Sequence, residues 1–338
     1  MRRFCSLACK WTCITLLSIA MCELSLVVWD FWPAYQLTGK GVGGGKGVQF
    51  FTLDKELLFR MLPNEIHSIN REGFRDALPT KKGPQLTIVA GDSFPMGLAV
   101  EPNETFPSVL ERMRPGEEVY NLGVQGYGPD QELVAFTRYG LPRRPARLVL
   151  SLYPSNDFGD LLHNELLAVD PSGEALMRHH PNPIESVLPP TRLQMFSHLL
   201  WYKRFLPREK EERLNEILFE DTPTRDLERD SEGARATQLM RLVLREFRRL
   251  TRENNMDLQA IVIPSFDSIE GSARRERRSR LDELAVLLCR EEGIDVIDLD
   301  PAFRAWIGDP LYIPEDRHLS VAGHRLVAEQ LAGRLAGR

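Results

Sequence analysis

The chain has 338 residues, 43% hydrophobic and 27% charged, an ordinary globular composition with length enough for a large core. Its net charge of −5 gives no electrostatic case for a nucleic-acid partner. Four of the five cysteines (Cys5, Cys9, Cys13, Cys22) fall in the first 22 residues. Only Cys289 is left in the body, which excludes a disulfide framework there, and the early cysteines have no histidine near them to make a zinc site.

Arg2, Arg3 and Lys10 precede an apolar run from Trp11 to Trp29. Trp29, Phe31, Trp32 and Tyr35 follow like an aromatic belt at an interface. This pattern predicts a cytoplasmic basic end over 1–10 and an uncleaved transmembrane signal-anchor over 11–30. The body is then expected on the extracytoplasmic side, periplasmic or extracellular. Glu23 and several Ser and Thr residues weaken the run, and no small-x-small cleavage site follows it.

Residues 31–65 read as a linker, with a flexible tether at Gly39–Gly47. The tether lacks the Ser or Thr that a phosphate-binding loop needs after Lys46, and no strand leads into it. The front of Ile66–Asp76 alternates like a short strand, Gly73 suggests a turn, and Phe74 is expected to pack on a core.

Leu86-Thr87-Ile88-Val89-Ala90 is a short β-branched and aliphatic run that predicts a buried strand. It ends in Gly91-Asp92-Ser93, placing a serine at the carboxyl end of a strand, where ligands bind in open α/β sheets. Ser93 is a candidate nucleophile; Asp92-Ser93 as a simple helix cap is the competing reading. Further strands are predicted at Glu118–Leu122, Ala146–Tyr153, Leu258–Pro264 and Ile294–Leu299. Helices are expected at Thr105–Arg112, Asp130–Tyr139, Ala234–Glu253, Ser279–Glu292 and after Ser320. This alternation argues for a mostly parallel sheet covered on both faces. No G-x-G-x-x-G follows a strand, so a dinucleotide site is poorly supported. Residues 158–232 interrupt the rhythm with Pro171, Pro181, Pro183, Pro189 and Pro190 in their first half, His179-His180 (read as solvated) and a helical pattern over Arg192–Phe205. They are expected to form a helical insertion.

Near the end, Ser320 reads as the cap of the last helix, and His318 lies in the loop ahead of it. Asp316, two residues before, can fix the histidine's tautomer and stabilise its imidazolium. Three strand ends offer donors to an oxyanion: the backbone N–H of Ser93, that of Gly126 in the turn Gly123–Gly128, and the side-chain amide of Asn156.

Taken together, these positions resemble the SGNH hydrolase family, also called GDSL-like esterases and lipases, and its membrane-anchored bacterial members. Gly91-Asp92-Ser93 matches the first block, Gly126 the second, Asn156-Asp157 the third, and Asp316-x-His318 with Leu319-Ser320 the last. Asn70-x-x-Gly73-Phe74-Arg75 is similar to a motif of the anchored members. Two departures stand out. Pro154 occupies the place where the third block often has Gly, and the commoner Asp-x-x-His spacing would make Glu315 the alternate acid.

The resemblance implies a three-layer flavodoxin-like fold with a mostly parallel five-stranded central sheet, over a domain spanning 66–338. It implies a serine esterase with a Ser93–His318–Asp316 triad and an oxyanion hole of Ser93, Gly126 and Asn156. No metal or cofactor is required by that chemistry. The partners expected are a small-molecule, lipid or glycan ester, such as O-acyl groups of the cell envelope, and the membrane through the amino-terminal helix. Two alternatives stay open: an O-acyltransferase using the same site, and a ligand-binding relative without turnover.

Overall fold

The structure, a computed structural model, describes residues 2–28, 34–38, 48–54, 56–65, 67–80, 85–164, 166–178, 231–270 and 279–336. The expected helix over Arg192–Phe205, the pair His179-His180 and the tether Gly39–Gly47 lie outside the described residues.

The amino-terminal segment forms one helix, α1 (Arg2–Val28). Its described side chains, residues 10–25, are exposed except for the partly covered Glu23. Among the described residues no helix is long and apolar enough to cross a membrane. The span expected over 11–30 is therefore not shown: α1 is 27 residues long, but Lys10, Glu23 and several Ser and Thr residues interrupt its apolar run.

Three antiparallel strands follow, β1 (Ala34–Thr38), β2 (Val48–Asp54) and β3 (Leu58–Met61). This region falls within the linker expected over 31–65. Instead Phe51, Leu57, Phe59 and Met61 are buried in the main core. Their alternation is short and broken by the tight turn at Glu56-Leu57, which masks the pattern. Tyr127 Oη donates to the Phe59 carbonyl (2.9 Å) and Gln131 Nε2 to the Leu57 carbonyl (2.6 Å), so this small sheet is pinned to the body. The strand expected at the front of Ile66–Asp76 is absent; an isolated bridge joins Asn64 and Ile69, and Asn70 folds the rest into turns by accepting from the N–H groups of Glu72 and Phe74.

The body is an alternation of strand and helix. In chain order it runs β4 (Leu86–Ala90), α2 (Ser93–Met96), α3 (Phe106–Met113), β5 (Glu118–Asn121), α4 (Pro129–Ala135), β6 (Arg147–Leu152) and α5 (Pro154–Asn164). A hairpin of β7 (Leu167–Val169) and β8 (Leu176–Arg178) follows. The chain continues with α6 (Ser231–Glu253), β9 (Asp257–Val262), α7 (Phe266–Ile269), α8 (Arg280–Glu291), β10 (Asp295–Asp298), α9 (Asp300–Arg304) and α10 (Val321–Ala336). The helix expected to reach Tyr139 leaves α geometry after Ala135 and continues as a π turn over Phe136–Gly140.

Five strands form the central sheet in the order β10-β9-β6-β4-β5, all parallel. Successive side chains of a strand point to opposite faces. Ile88, Ala90, Leu148 and Leu150 accordingly face one layer, packed with Leu239, Val243 and Phe247 of α6 and Leu288 of α8. Val89, Val149 and Ile261 face the other, packed with Phe106 and Leu110 of α3 and Val327 and Leu331 of α10. The result is the expected three-layer flavodoxin-like arrangement. Numbered within the sheet alone, the order is second, first, third, fourth, fifth. The direction of winding reverses between β4 and β6, and ligands bind outside the carboxyl ends of strands at such a switch point. Ser93 follows one of these two strands and Asn156 the other.

Candidate active site

The chain turns abruptly at the end of β4. A Cβ at Gly91 would lie 2.6 Å from Pro95 Cγ and 2.9 Å from Ser151 Cβ, so only glycine fits the bend. Asp92 caps the next turn, its Oδ1 accepting from the Phe94 N–H at 2.9 Å. The cap and the candidate nucleophile are thus compatible: Asp92 caps, and Ser93 is the first residue of α2. The helix stops after one turn at Gly97, whose φ of +72° is left-handed and whose N–H donates to the Ser93 and Phe94 carbonyls. Arg75 Nη1 donates to the Gly97 carbonyl at 2.5 Å, and Asn121 Nδ2 to the Pro95 carbonyl at 2.6 Å. Burial pushes the Arg75 guanidinium down to about 10, against the opposing pull of Glu101. The serine therefore sits on a buried, fully braced turn.

The second loop runs along this turn. The Val124 N–H donates to the Gly91 carbonyl (3.2 Å) and the Gln125 N–H to Met96 Sδ (3.2 Å). Gly126 comes next, exposed and with φ +78°, a conformation that favours glycine. The third segment follows the end of β6, as expected, and forms the first turn of α5, with Pro154 as the opening residue, a position where its missing N–H costs nothing. Asn156 Nδ2 donates to Asp92 Oδ2 at 3.0 Å. Asp92 thus ties the nucleophile turn and Asn156 to one carboxylate.

The histidine arrives from the opposite layer. Tyr312 and Leu319 pair across a short antiparallel bridge, and the Ile313 N–H donates to the His318 carbonyl at 2.9 Å. Ser320 caps α10, its Oγ accepting from the Gly323 N–H at 3.2 Å. His318 Nε2 lies 2.9 Å from Ser93 Oγ, across 225 positions of sequence. Its other nitrogen, Nδ1, is hydrogen-bonded to Asp316 Oδ1. The Asp316 side chain is 12% exposed, whereas the alternate acid, Glu315, stands in solvent. The Phe94 ring lies against both the His318 ring (centroids 5.3 Å apart) and that of Tyr153 (4.0 Å).

The structure therefore brings Ser93, His318 and Asp316 into hydrogen-bonded sequence, and sets Asn156 and the Gly126 loop against the same turn. His324, one helical turn further on, is buried and does a different job. Its Nδ1 accepts from the Phe106 N–H at 3.1 Å, and burial, then the charges of His318 and Arg75, push its imidazole down to about 3.

Sequence reasoning missed the groups behind the site. Arg75 stands in the Asn70-x-x-Gly73-Phe74-Arg75 motif but without an assigned role, and Asn121, just ahead of the turn Gly123–Gly128, carries no catalytic signature. Glu132 and Asp157 are buried, and burial holds both carboxyls well above their ordinary range, with added repulsion from Asp92, Asp130 and Asp160 on Glu132 and from Glu132, Asp92 and Asp160 on Asp157. The first cause of the raised Asp92 carboxyl is likewise burial, offset by its bonds from Phe94 and Asn156. Among the described residues no group of three His, Cys, Asp or Glu could hold a metal ion.

No protein-family model matches the chain, and no curated protein matches it. Among solved structures it is similar in fold to a lipase/acylhydrolase from Enterococcus faecalis (16% identity, TM-score 0.42, covering 75% of this chain and 96% of that one). It is also similar to an alpha/beta hydrolase enzyme from the metagenome of Lake Arreo, Spain (12%, 0.44, 75% and 95%). A third is a GDSL-like lipase from Bacteroides thetaiotaomicron (12%, 0.37, 75% and 87%).

Proposed function

We propose that this protein is a serine esterase. The observation that carries the reading is the relay Ser93 Oγ–His318 Nε2 (2.9 Å) with His318 Nδ1 held by Asp316. Ser93 attacks the ester carbonyl as His318 takes its proton, and Asp316 orients the imidazole and stabilises its charged form. The carbonyl oxygen becomes an oxyanion that accepts from the Ser93 N–H, the Gly126 N–H and the second hydrogen of Asn156 Nδ2, the first being given to Asp92. His318 then protonates the leaving alcohol, and water releases the acyl group from Ser93 by the same steps in reverse. The motif resemblance favours O-acyl groups of envelope glycans or lipids as the substrate class.

Membrane attachment through α1 is part of the proposal. Trp11, Ile14, Leu17, Ile19 and Leu24 are exposed around this helix, and an apolar helix surface is stable only when covered. Retention of the full chain in the pellet after alkaline carbonate extraction is expected, with release on deletion of 2–28; release of the full chain would overturn the attachment.

The direct test of the chemistry is a fluorophosphonate probe with the adduct located by mass spectrometry. Labelling at Ser93, abolished by Ser93→Ala and by His318→Ala, is the expected result. A folded wild-type chain that takes no label and turns over no ester would overturn the esterase reading.

A further inference from the structure

Arg317, between the acid and the base, has a φ of +65°. Its N–H and that of Asp316 both donate to the Ile313 carbonyl, at 2.6 and 3.1 Å. The segment is therefore a single helical turn closed by a left-handed residue, a place that glycine normally takes because any Cβ is strained there. Arginine violates that local preference at the centre of the site. Its side chain supplies the compensation. The guanidinium lies over the Phe266 ring, 5.4 Å from its centroid, and 3.7 Å from Asp267 Oδ2.

Phe266 and Asp267 belong to α7, just beyond β9, so this clasp joins the acid–base turn to a different strand end. Phe266 is itself fixed: its N–H donates to Tyr153 Oη (3.4 Å), and its ring meets that of Tyr312 edge-on at 5.7 Å. The Tyr153 ring lies tilted against Phe94 (30° between planes), and Phe94 against His318 (40°). The contacts close a circuit from Arg317 through Phe266, Tyr153 and Phe94 back to His318. The turn is thus held from two sides, by the Arg317 side chain and by the His318 ring.

We propose that Arg317 is a positioning residue: its clasp on Phe266 and Asp267 holds the strained turn that sets Asp316 against His318. The proposal rests on the esterase reading for its kinetic consequence. Glycine relieves the strain of a left-handed position but removes the clasp, so stability and rate should separate. In the full chain, Arg317→Gly is expected to melt no lower than wild type yet to lose about tenfold in kcat toward p-nitrophenyl acetate, with KM within about twofold. Arg317→Lys, which keeps the cation, is expected to stay within about threefold of wild-type kcat.

The second readout is the far-downfield proton NMR resonance of the His318 Nδ1–H, assigned by its absence in His318→Ala. It is expected to be sharp in wild type and Arg317→Lys, and broadened or lost in Arg317→Gly. Arg317→Gly with the wild-type resonance, or Arg317→Lys as disturbed as the glycine variant, overturns the proposal. Absence of turnover and labelling in wild type would count against the esterase reading alone, because the resonance still decides the role of Arg317.

Discussion

The two halves of the site are built on opposite principles. The nucleophile turn, Gly91–Leu98, is buried, and its carbonyls and N–H groups are tied by Asp92, Asn121, Arg75 and the turn's own hydrogen bonds. The acid–base turn, Ile313–Ser320, is half exposed and held mostly by bonds within itself and by the clasp of Arg317. One side is over-determined by the core and fixes where Ser93 Oγ stands. The other holds His318 and Asp316, which carry the proton chemistry in the proposed esterase reaction, and needs only local order. The difference teaches that the same substitution strategy reads out differently on the two sides: as rate on the exposed one, as stability on the buried one.

The strongest break in this contrast comes from the acid. Asp316→Asn should lower kcat by about a hundredfold or more while the melting temperature barely moves, because the imidazole loses its orientation and its counter-charge. Glu315→Gln, one residue away but in solvent, should stay within about twofold of wild type. Equal effects would mean that the acid has been misassigned.

Asn156→Ala bridges the two behaviours. Loss of one oxyanion donor should cost roughly a hundredfold in kcat. It also strips Asp92 of a hydrogen bond (3.0 Å), so some loss in chemical denaturation midpoint should accompany the slower turnover. Unchanged turnover would remove Asn156 from the oxyanion site.

On the buried side, Arg75→Leu leaves the Met96 and Gly97 carbonyls without their charged donor. About 2–3 kcal/mol of stability should be lost in urea unfolding. The remaining folded fraction should lose rate as well, since the turn that carries Ser93 loosens.

The mildest probe is pH. The His324 imidazole titrates near 3 when folded, below its ordinary 6.5, so the unfolded chain binds more protons between these values. Stability should therefore fall as pH drops from about 6.5 towards 3, and His324→Gln should flatten that limb. Asp76 acts in the opposite sense. Burial raises its carboxyl to about 7 from 3.8, although the N–H groups of Asn121 and Ala77 oppose this. The folded chain then binds more protons between those values, so stability should fall as pH rises from about 4 to about 7. Asp76→Asn should remove that loss. Denaturation midpoints across pH 3 to 8 separate the two groups, and a single variant that flattened both limbs would contradict the assignment.

Much of the fold was legible in the chain. The five central strands are continuous apolar runs because both faces of a parallel sheet are covered, and runs of that kind are the clearest local signal. Ser320 as a cap and Gly91-Asp92-Ser93 as a strand-to-helix bend were likewise local facts. The small sheet of β1–β3 was not legible. Its strands are short, one side is bounded by a glycine-rich stretch, and their burial depends on Tyr127 and Gln131 from far along the chain.

Sequence by itself determined which residue types stand at the strand ends and ahead of the last helix, because caps, bends and apolar runs are dictated within a few residues. Only the tertiary structure decided that His318 meets Ser93 across 225 positions, that Asp316 rather than Glu315 faces Nδ1, and that Asp92 joins Asn156 to the nucleophile turn. Those choices rest on how two layers of helices pack against one sheet. Long-range packing of that kind leaves no periodicity in the chain, because the partners contribute a single residue each.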